Sequence, residues 1–263
     1  MTKAESSQTK AARPPRTPGL MSPSAWRDYE TCPRRYWYAY VDRTAPDGPV
    51  WAGWRFGRAV HRALEAALHA VQGTRRHPND HAGLAAARTA LDDARAAEGL
   101  DDDQVREASQ LVVRGLASLA VRGDQVLAVE AWLRADTPAG VGVVGRADLV
   151  VRWDNGSLGI CDHKVSRRPR PASELAVDRQ LALYAWMAAS RWPAPGGVTA
   201  SHHYPPLGET VHATLDWERV RQVVADLDTT ASRIAADEFF APTAGPHCRT
   251  CQWTVTCPDG PDQ

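Results

Sequence analysis

The chain has 263 residues, 43% hydrophobic and 24% charged, with 31 basic and 31 acidic side chains. That length allows one large domain, and zero net charge leaves any nucleic-acid contact to local basic patches. No apolar run of about 18 residues is long enough for a membrane span, and the start MTKAESSQTKAARPPRTPG lacks the apolar core of a secretory signal, so a cytoplasmic location without membrane contact is expected.

Residues 1–20 are rich in Ser, Thr, Pro and basic side chains and read as a disordered tail. Residues 21–263 read as a single domain. Ser22 is a candidate helix N-cap with Pro23 behind it, and Cys32-Pro33 should break that helix. Trp26, Tyr29, Tyr36, Trp37 and Tyr40 interleave with Arg27, Arg34 and Arg35. Such a stretch suits either an aromatic core wall or a base-stacking surface. Residues 53–71 carry a helical stripe that includes His61, Leu64, Leu68 and Val71. A lone histidine there is either a hydrogen-bonded core residue or a ligand. Gly57, one turn earlier, would let another element come close. Residues 72–122 hold two further helical patterns, 82–99 and 101–121, and read as a helical insertion without chemistry of its own.

The chemistry concentrates further on. Residues 125–134 read as a strand that contains Glu130, either a site carboxylate or a solvent-facing one. Two strand-like runs, 141–152 and 157–164, flank Asp154-Asn155-Gly156, and Asn-Gly is a strong hairpin signal. The hairpin can bring Asp148 beside Asp162-His163-Lys164. Asp162 and Lys164 share a face, two residues apart on a strand. Two carboxylates and an ammonium at one end of a sheet make a seat for a hard divalent cation and a water. An ordinary D-x-K is a surface ion pair. Here Lys164 is one of only three lysines among the 31 basic residues, and the other two, Lys3 and Lys10, lie in the tail. A compact ammonium able to sit beside a water is something arginine does not imitate.

A basic loop with Arg167, Arg168 and Arg170 follows, suited to a phosphate backbone or simply to solvent. Residues 173–189 read as one helix with Gln180 and Tyr184 on one face. Strands are expected at 198–204 and 211–215, and a long helix at 217–240. The end, PHCRTCQWTVTCPDG, places Cys248, Cys251 and Cys257 in C-x2-C-x5-C. Three soft ligands so close point to a metal or cluster in a segment spanning 245–258. The fourth ligand is His247, for a zinc knuckle, or Cys32, for zinc or a [4Fe–4S] cluster. Cys161 reads as core.

In this order, Ser22-x-Ser24 before Cys32-Pro33, Gly57-x-x-x-His61, Gly145-x-x-Asp148, Asp162-x-Lys164, Gln180-x-x-x-Tyr184 and three terminal cysteines, the chain resembles the RecB-like branch of the PD-(D/E)xK nuclease superfamily. It looks most like the iron–sulfur exonucleases of that branch: CRISPR-adaptation nucleases, AddB-type nuclease domains and RecB-family exonucleases. The resemblance implies a restriction-endonuclease-like α/β fold, a mixed sheet in the order αβββαβ. It implies Mg2+ or Mn2+ on His61, Asp148, Asp162 and the His163 carbonyl, with Lys164 catalytic. Gln180 and Tyr184 would position DNA or support the site. Cys32, Cys248, Cys251 and Cys257 would hold the cluster, leaving His247 a bystander. The expected activity is metal-dependent hydrolysis of DNA, exonucleolytic on single-stranded ends, in repair, recombination or CRISPR adaptation, with room for a protein partner. The alternatives are a non-catalytic DNA-binding or assembly subunit that retains the fold, and a zinc-stapled protein whose Asp162-x-Lys164 is only an ion pair.

Overall fold

The computed structural model describes residues 20–48 and 52–258. The tail expected at 1–20 lies, except for Leu20, outside them. Helix α1 (Pro23–Thr31) starts where Ser22 accepts the Ala25 N–H at 3.1 Å, with Pro23 at its first position. It ends at Cys32, whose extended backbone precedes Pro33 as proline requires. A short helix α2 (Pro33–Tyr36) runs on into a π-helical turn, Trp37–Asp42. Helices α3 (Ala52–Val71), α4 (His81–Glu98) and α5 (Asp102–Ser118) follow. Asp80 caps α4, Gly99 closes it in the left-handed conformation, and Asp101 with Gln104 forms a capping box for α5.

Strands β1 (Val126–Asp136), β2 (Gly142–Arg152) and β3 (Leu158–His163) pair antiparallel in sequence order. Short α6 (Ala172–Leu175) and α7 (Arg179–Arg191) carry the chain to β4 (Val198–Tyr204), which pairs parallel with β3. Strand β5 (Glu209–Leu215) pairs antiparallel with β4, and α8 (Trp217–Ala236) closes the set. The result is a five-stranded mixed sheet, β1-β2-β3-β4-β5, with helices on both faces. On one face α1, α7 and α8 bury Trp26, Leu181, Met187 and Leu227 against Val150, Ile160 and Val198. On the other, α3, α4 and α5 bury Leu64, Leu68, Leu91 and Leu116 against Val129, Leu149 and Val151. Residues 72–122, read from sequence as a helical insertion that covers or lengthens the core, supply α4 and α5, which with α3 cover this face of the sheet.

Two expectations need correcting, and one left open is decided. Residues 173–189 form two helices, not one. Asp178 stops the first and caps the second by accepting the Leu181 N–H at 3.0 Å, as aspartate prefers to do. The long helix ends at Ala236 rather than Phe240. Asp237 Oδ1 takes the N–H groups of Phe239 and Phe240, diverting them from the helix. Phe240 then stacks on Tyr36 at 6.1 Å between centroids while Phe239 stays exposed. The aromatic segment is core: Trp26, Tyr29 and Tyr36 are buried, and a base-stacking role for them is excluded by packing.

One detail of the sheet sets up the site. Glu130 has φ +45°, a left-handed conformation that an L-residue in a strand adopts at a cost of about 1–3 kcal/mol. Before it, Val129 faces the α3–α5 layer; after it, Leu133 faces the α1–α7–α8 layer. Opposite, Leu149 and Val151 face the first layer, Ala147 and Val143 the second. Normal alternation would keep each set on one side. The reversal bends the outer halves of β1 and β2 over α7, where Gly145 leaves room for Tyr184. A Cβ at Gly145 would lie 2.5 Å from Tyr184 Cε1 and 3.1 Å from Met187 Cε. Gly145→Ala is expected to cost about 1–3 kcal/mol through overpacking, read as a lower midpoint in chemical denaturation.

Candidate active site

The reversal lies at the centre of a row of acids. Val129 pairs with Leu149 and Ala131 with Ala147, so Glu130 stands opposite Asp148. Leu149 pairs with Cys161, so Asp148 stands opposite Asp162 one step on. Three carboxylates thus cross β1, β2 and β3 side by side. Helix α3 adds His61, whose Nδ1 is 3.6 Å from both Glu130 Oε1 and Asp148 Oδ2. One ligand atom each from His61, Glu130 and Asp148 falls within 4.8 Å of the others. An imidazole nitrogen with carboxylate oxygens suits Mg2+ or Mn2+.

Asp162, expected among the ligands, stands opposite Asp148 and lines the same cleft, with both its oxygens already in contact. Lys164 Nζ lies 2.6 Å from its Oδ2, and Gln180 Nε2 donates to its Oδ1 at 2.9 Å. The same amide lies 3.3 Å from the Tyr184 hydroxyl. Asp162 is 5% exposed, whereas the Lys164 side chain is 37% exposed and lines the cleft. For His163 the structure gives a donor contact: its backbone N–H donates to Asp148 Oδ2 at 2.7 Å. Its ring lies on the same side of the sheet as His61, edge-on to it at 5.8 Å between centroids, and meets His203 of β4, Nδ1 to Nδ1 at 2.8 Å. Ser118 and the Gly115 carbonyl hold the far side of His203. Sequence reading missed His203, since a contact between parallel strands forty residues apart leaves no local signal. Glu130, left open in the sequence, stands in the candidate cluster with His61 and Asp148.

Crowding governs the electrostatics. Burial, then the Asp162 and Glu130 charges, push Asp148 up to about 7, against the pull of His61 and the His163 N–H. Burial alone would lower His61, but its hydrogen bond to Glu130 and the three carboxylates outweigh it and raise the pKa. Burial and neighbouring cations hold His163 well below the ordinary range.

The basic loop is largely committed. Arg170 bonds Glu174 and Asp178, and Arg167 lies 3.8 Å from Glu107. Elsewhere, Cys32 from near the start of the chain and Cys248, Cys251 and Cys257 from near its end line one pocket walled by Tyr38 and Trp253, whose rings stack at 6.0 Å. Thr243 N–H donates to Cys32 Sγ at 3.4 Å. His247 also lines the pocket, but its Nε2 is 2.9 Å from the Thr243 carbonyl. The four thiols, all among the described residues, share this largely apolar pocket without any three of their sulfurs lying within 4.8 Å of one another, and by donor type the set suits a soft-metal group. Cys161, as expected, is buried apart from them, and burial pushes its thiol up to about 12.

A family model of the PD-(D/E)XK nuclease superfamily matches residues 20–258. The match spans nearly the whole chain, and the protein belongs to that superfamily, whose members are metal-dependent nucleases. A solved structure from Eubacterium rectale, described as a candidate exonuclease, is similar with a TM-score of 0.54 at 10% identity, covering 96% of this chain and 93% of that one. A second, described as SSO0001, has a TM-score of 0.40 at 14% identity, covering 91% and 86%. The first likeness is one of fold. No curated protein matches the chain. Among the described residues no helix is long and apolar enough to cross a membrane.

Divalent metal is expected to raise the melting temperature, by about 2.7 kcal/mol of added stability at a hundredfold excess over Kd. Asp148 keeps its proton up to about pH 7, and ligands must shed protons to bind. The Mn2+-induced rise should therefore be larger at pH 8 than at pH 6, as thermal unfolding at both values would show.

Proposed function

We propose that the protein is a RecB-like iron–sulfur exonuclease that hydrolyses DNA from single-stranded ends, serving repair, recombination or CRISPR adaptation in the cytosol. The observation that carries this reading is the acid row: Glu130, Asp148 and Asp162 across three strands, with His61 above and Lys164 at the end. A divalent ion held by His61, Asp148 and Glu130, with Asp162 adjacent, would lower the pKa of a bound water and offset charge on the scissile phosphate.

The chain's own groups do the rest. Lys164 presents a half-buried ammonium to the cleft, aimed by Asp162, where it orients the attacking water and stabilises the charge that develops on the phosphoryl oxygens. Gln180 fixes the other Asp162 oxygen, so the Asp162–Lys164 pair has one orientation. Tyr184 braces Gln180 one helical turn away. The His163 N–H keeps one Asp148 oxygen in place.

The four cysteines are assigned to a [4Fe–4S] cluster, with zinc as the competing occupant of the same thiols. Their role is to join the segment after α1 to the C-terminal segment, across about two hundred residues. Ligand–metal bonds do this where a reducing cytosol would open a disulfide. Other contacts run the same way: Asp47 accepts from Thr256 and Val255, and Trp253 donates to the Thr44 carbonyl.

Anaerobically purified protein should degrade 5′- or 3′-labelled single-stranded DNA with Mg2+ or Mn2+. Lys164→Ala should lose about 10²–10⁴-fold in rate while staying folded, with some loss of stability because the buried Asp162 loses its cation. A brown protein inactive on every DNA end would instead favour a non-catalytic assembly subunit. Cys251→Ala should lose solubility and activity together with the broad visible absorption band. A soluble, colourless, fully active Cys251→Ala chain would overturn the cluster assignment.

A further inference from the structure

The cleft over the acid row has a volume of about 850 Å³. Its floor is acidic. Its rim is one face of α3, where Trp54, Gly57, Arg58, His61, Arg62 and Glu65 recur at helical spacing. Three features of that face are unexplained by packing.

The first is Glu98, at the end of α4. It is 6% exposed, a burial that carboxylates seldom accept unless paired. Arg58 Nε donates to both its oxygens at 3.1 Å and Nη2 to Oε2 at 2.5 Å, while Arg62 Nη2 lies 3.3 Å from Oε1. Both arginine side chains remain half exposed, at 49% and 50%. One buried carboxylate thus fixes two guanidiniums on the rim and leaves most Arg62 donors and Nη1 of Arg58 unused by it. Fixed, partly free guanidiniums are suited to phosphate oxygens.

The second is Gly57. A helix-interior glycine costs about 0.5–1 kcal/mol relative to alanine. The sequence suggested that a neighbouring element comes close there. Among the described residues nothing lies within 4 Å of the position a Cβ would take. Its smallness serves open space in the cleft, not packing. The third is Trp54, 43% exposed on the same face one turn earlier.

We propose that this face of α3 is the track for an unpaired DNA strand entering the acid row. A base stacks on Trp54, the strand passes over Gly57, and two successive phosphates are held by Arg58 and Arg62. Charge favours this occupant, because the basic rim would hold the backbone and the acidic floor takes metal, not phosphate alone. The assignment rests on the nuclease reading and adds to it the strand's path and a reason for a single strand: a paired base could not reach Trp54.

The test uses the full-length Lys164→Ala chain, purified anaerobically, and fluorescein-labelled oligothymidylate, with anisotropy read over a range of NaCl concentrations. Trp54→Ala and Gly57→Leu are each expected to weaken binding about tenfold. Arg62→Ala should lower the slope of log K against log salt by about 0.7, one phosphate contact on a single strand. A Cβ at Gly57 meets no neighbour within 4 Å, and the substitution removes a glycine from a helix, so its melting temperature should hold or rise; a kept melting temperature, read beside the anisotropy, separates lost binding from lost folding. If the folded Gly57→Leu and Trp54→Ala chains bind like the parent, the track is wrong, while metal-dependent cleavage by the wild-type chain leaves the nuclease reading standing. Equal losses on a blunt duplex would overturn the single-strand assignment. If the wild-type chain cleaves nothing and the Lys164→Ala chain binds no oligonucleotide at any salt, the nuclease reading falls and takes the track with it.

Discussion

Carboxylates on adjacent strands stand about 5 Å apart, and in a dry site three such charges cannot stay ionised together without compensation. Glu130, Asp148 and Asp162 are in that position, and each neighbour of the row answers the same repulsion. His61 leans on two of the acids, Lys164 on the third, Arg146 bonds Glu130, and Gln180 and the His163 N–H donate to the remaining oxygens. Asp148, with the weakest compensation, keeps a proton to about pH 7. The site is therefore built with a deficit of positive charge. A divalent cation is the natural means of closing it.

The helices divide the labour. On one face α7 anchors the lysine end of the row through Gln180 and Tyr184. On the other, α3 supplies the histidine, and α4 reaches around to fix two arginines of α3 through Glu98. The region 72–122 looked chemically silent because its contributions, the Glu98 carboxylate and the Gly115–Ser118 contacts to His203, depend on how α4 packs on α3 and α5 on the sheet.

Much of the centre was legible from local signals. Asn155-Gly156 set the β2–β3 hairpin, whose register sets Asp148 against Asp162, and the scarcity of lysine singled out Lys164. The five strands fell close to where alternation placed them. What could not be read was of two kinds. The left-handed backbone of Glu130 is imposed by the surrounding sheet, since glutamate has no preference for it and no glycine or asparagine adjoins it. The His163–His203 contact depends on a parallel pairing that only the crossover through α6 and α7 creates. Asp178 and Asp237 were different: both carried a capping or turn signal that a long apolar period had outweighed.

The strained residue has an effect outside the site. Strand β1 is an edge of the sheet, and eleven residues of straight, unpaired strand would be a template for another chain's strand. Glu130 sits near its middle with its carbonyl already taken by Arg146 Nε at 2.9 Å. The edge is thereby cut into two short pieces that face different ways, the outer one exposing Trp132 together with the charged Arg134 and Asp136. The same backbone conformation that brings a carboxylate to the acid row thus protects the protein against edge-to-edge aggregation.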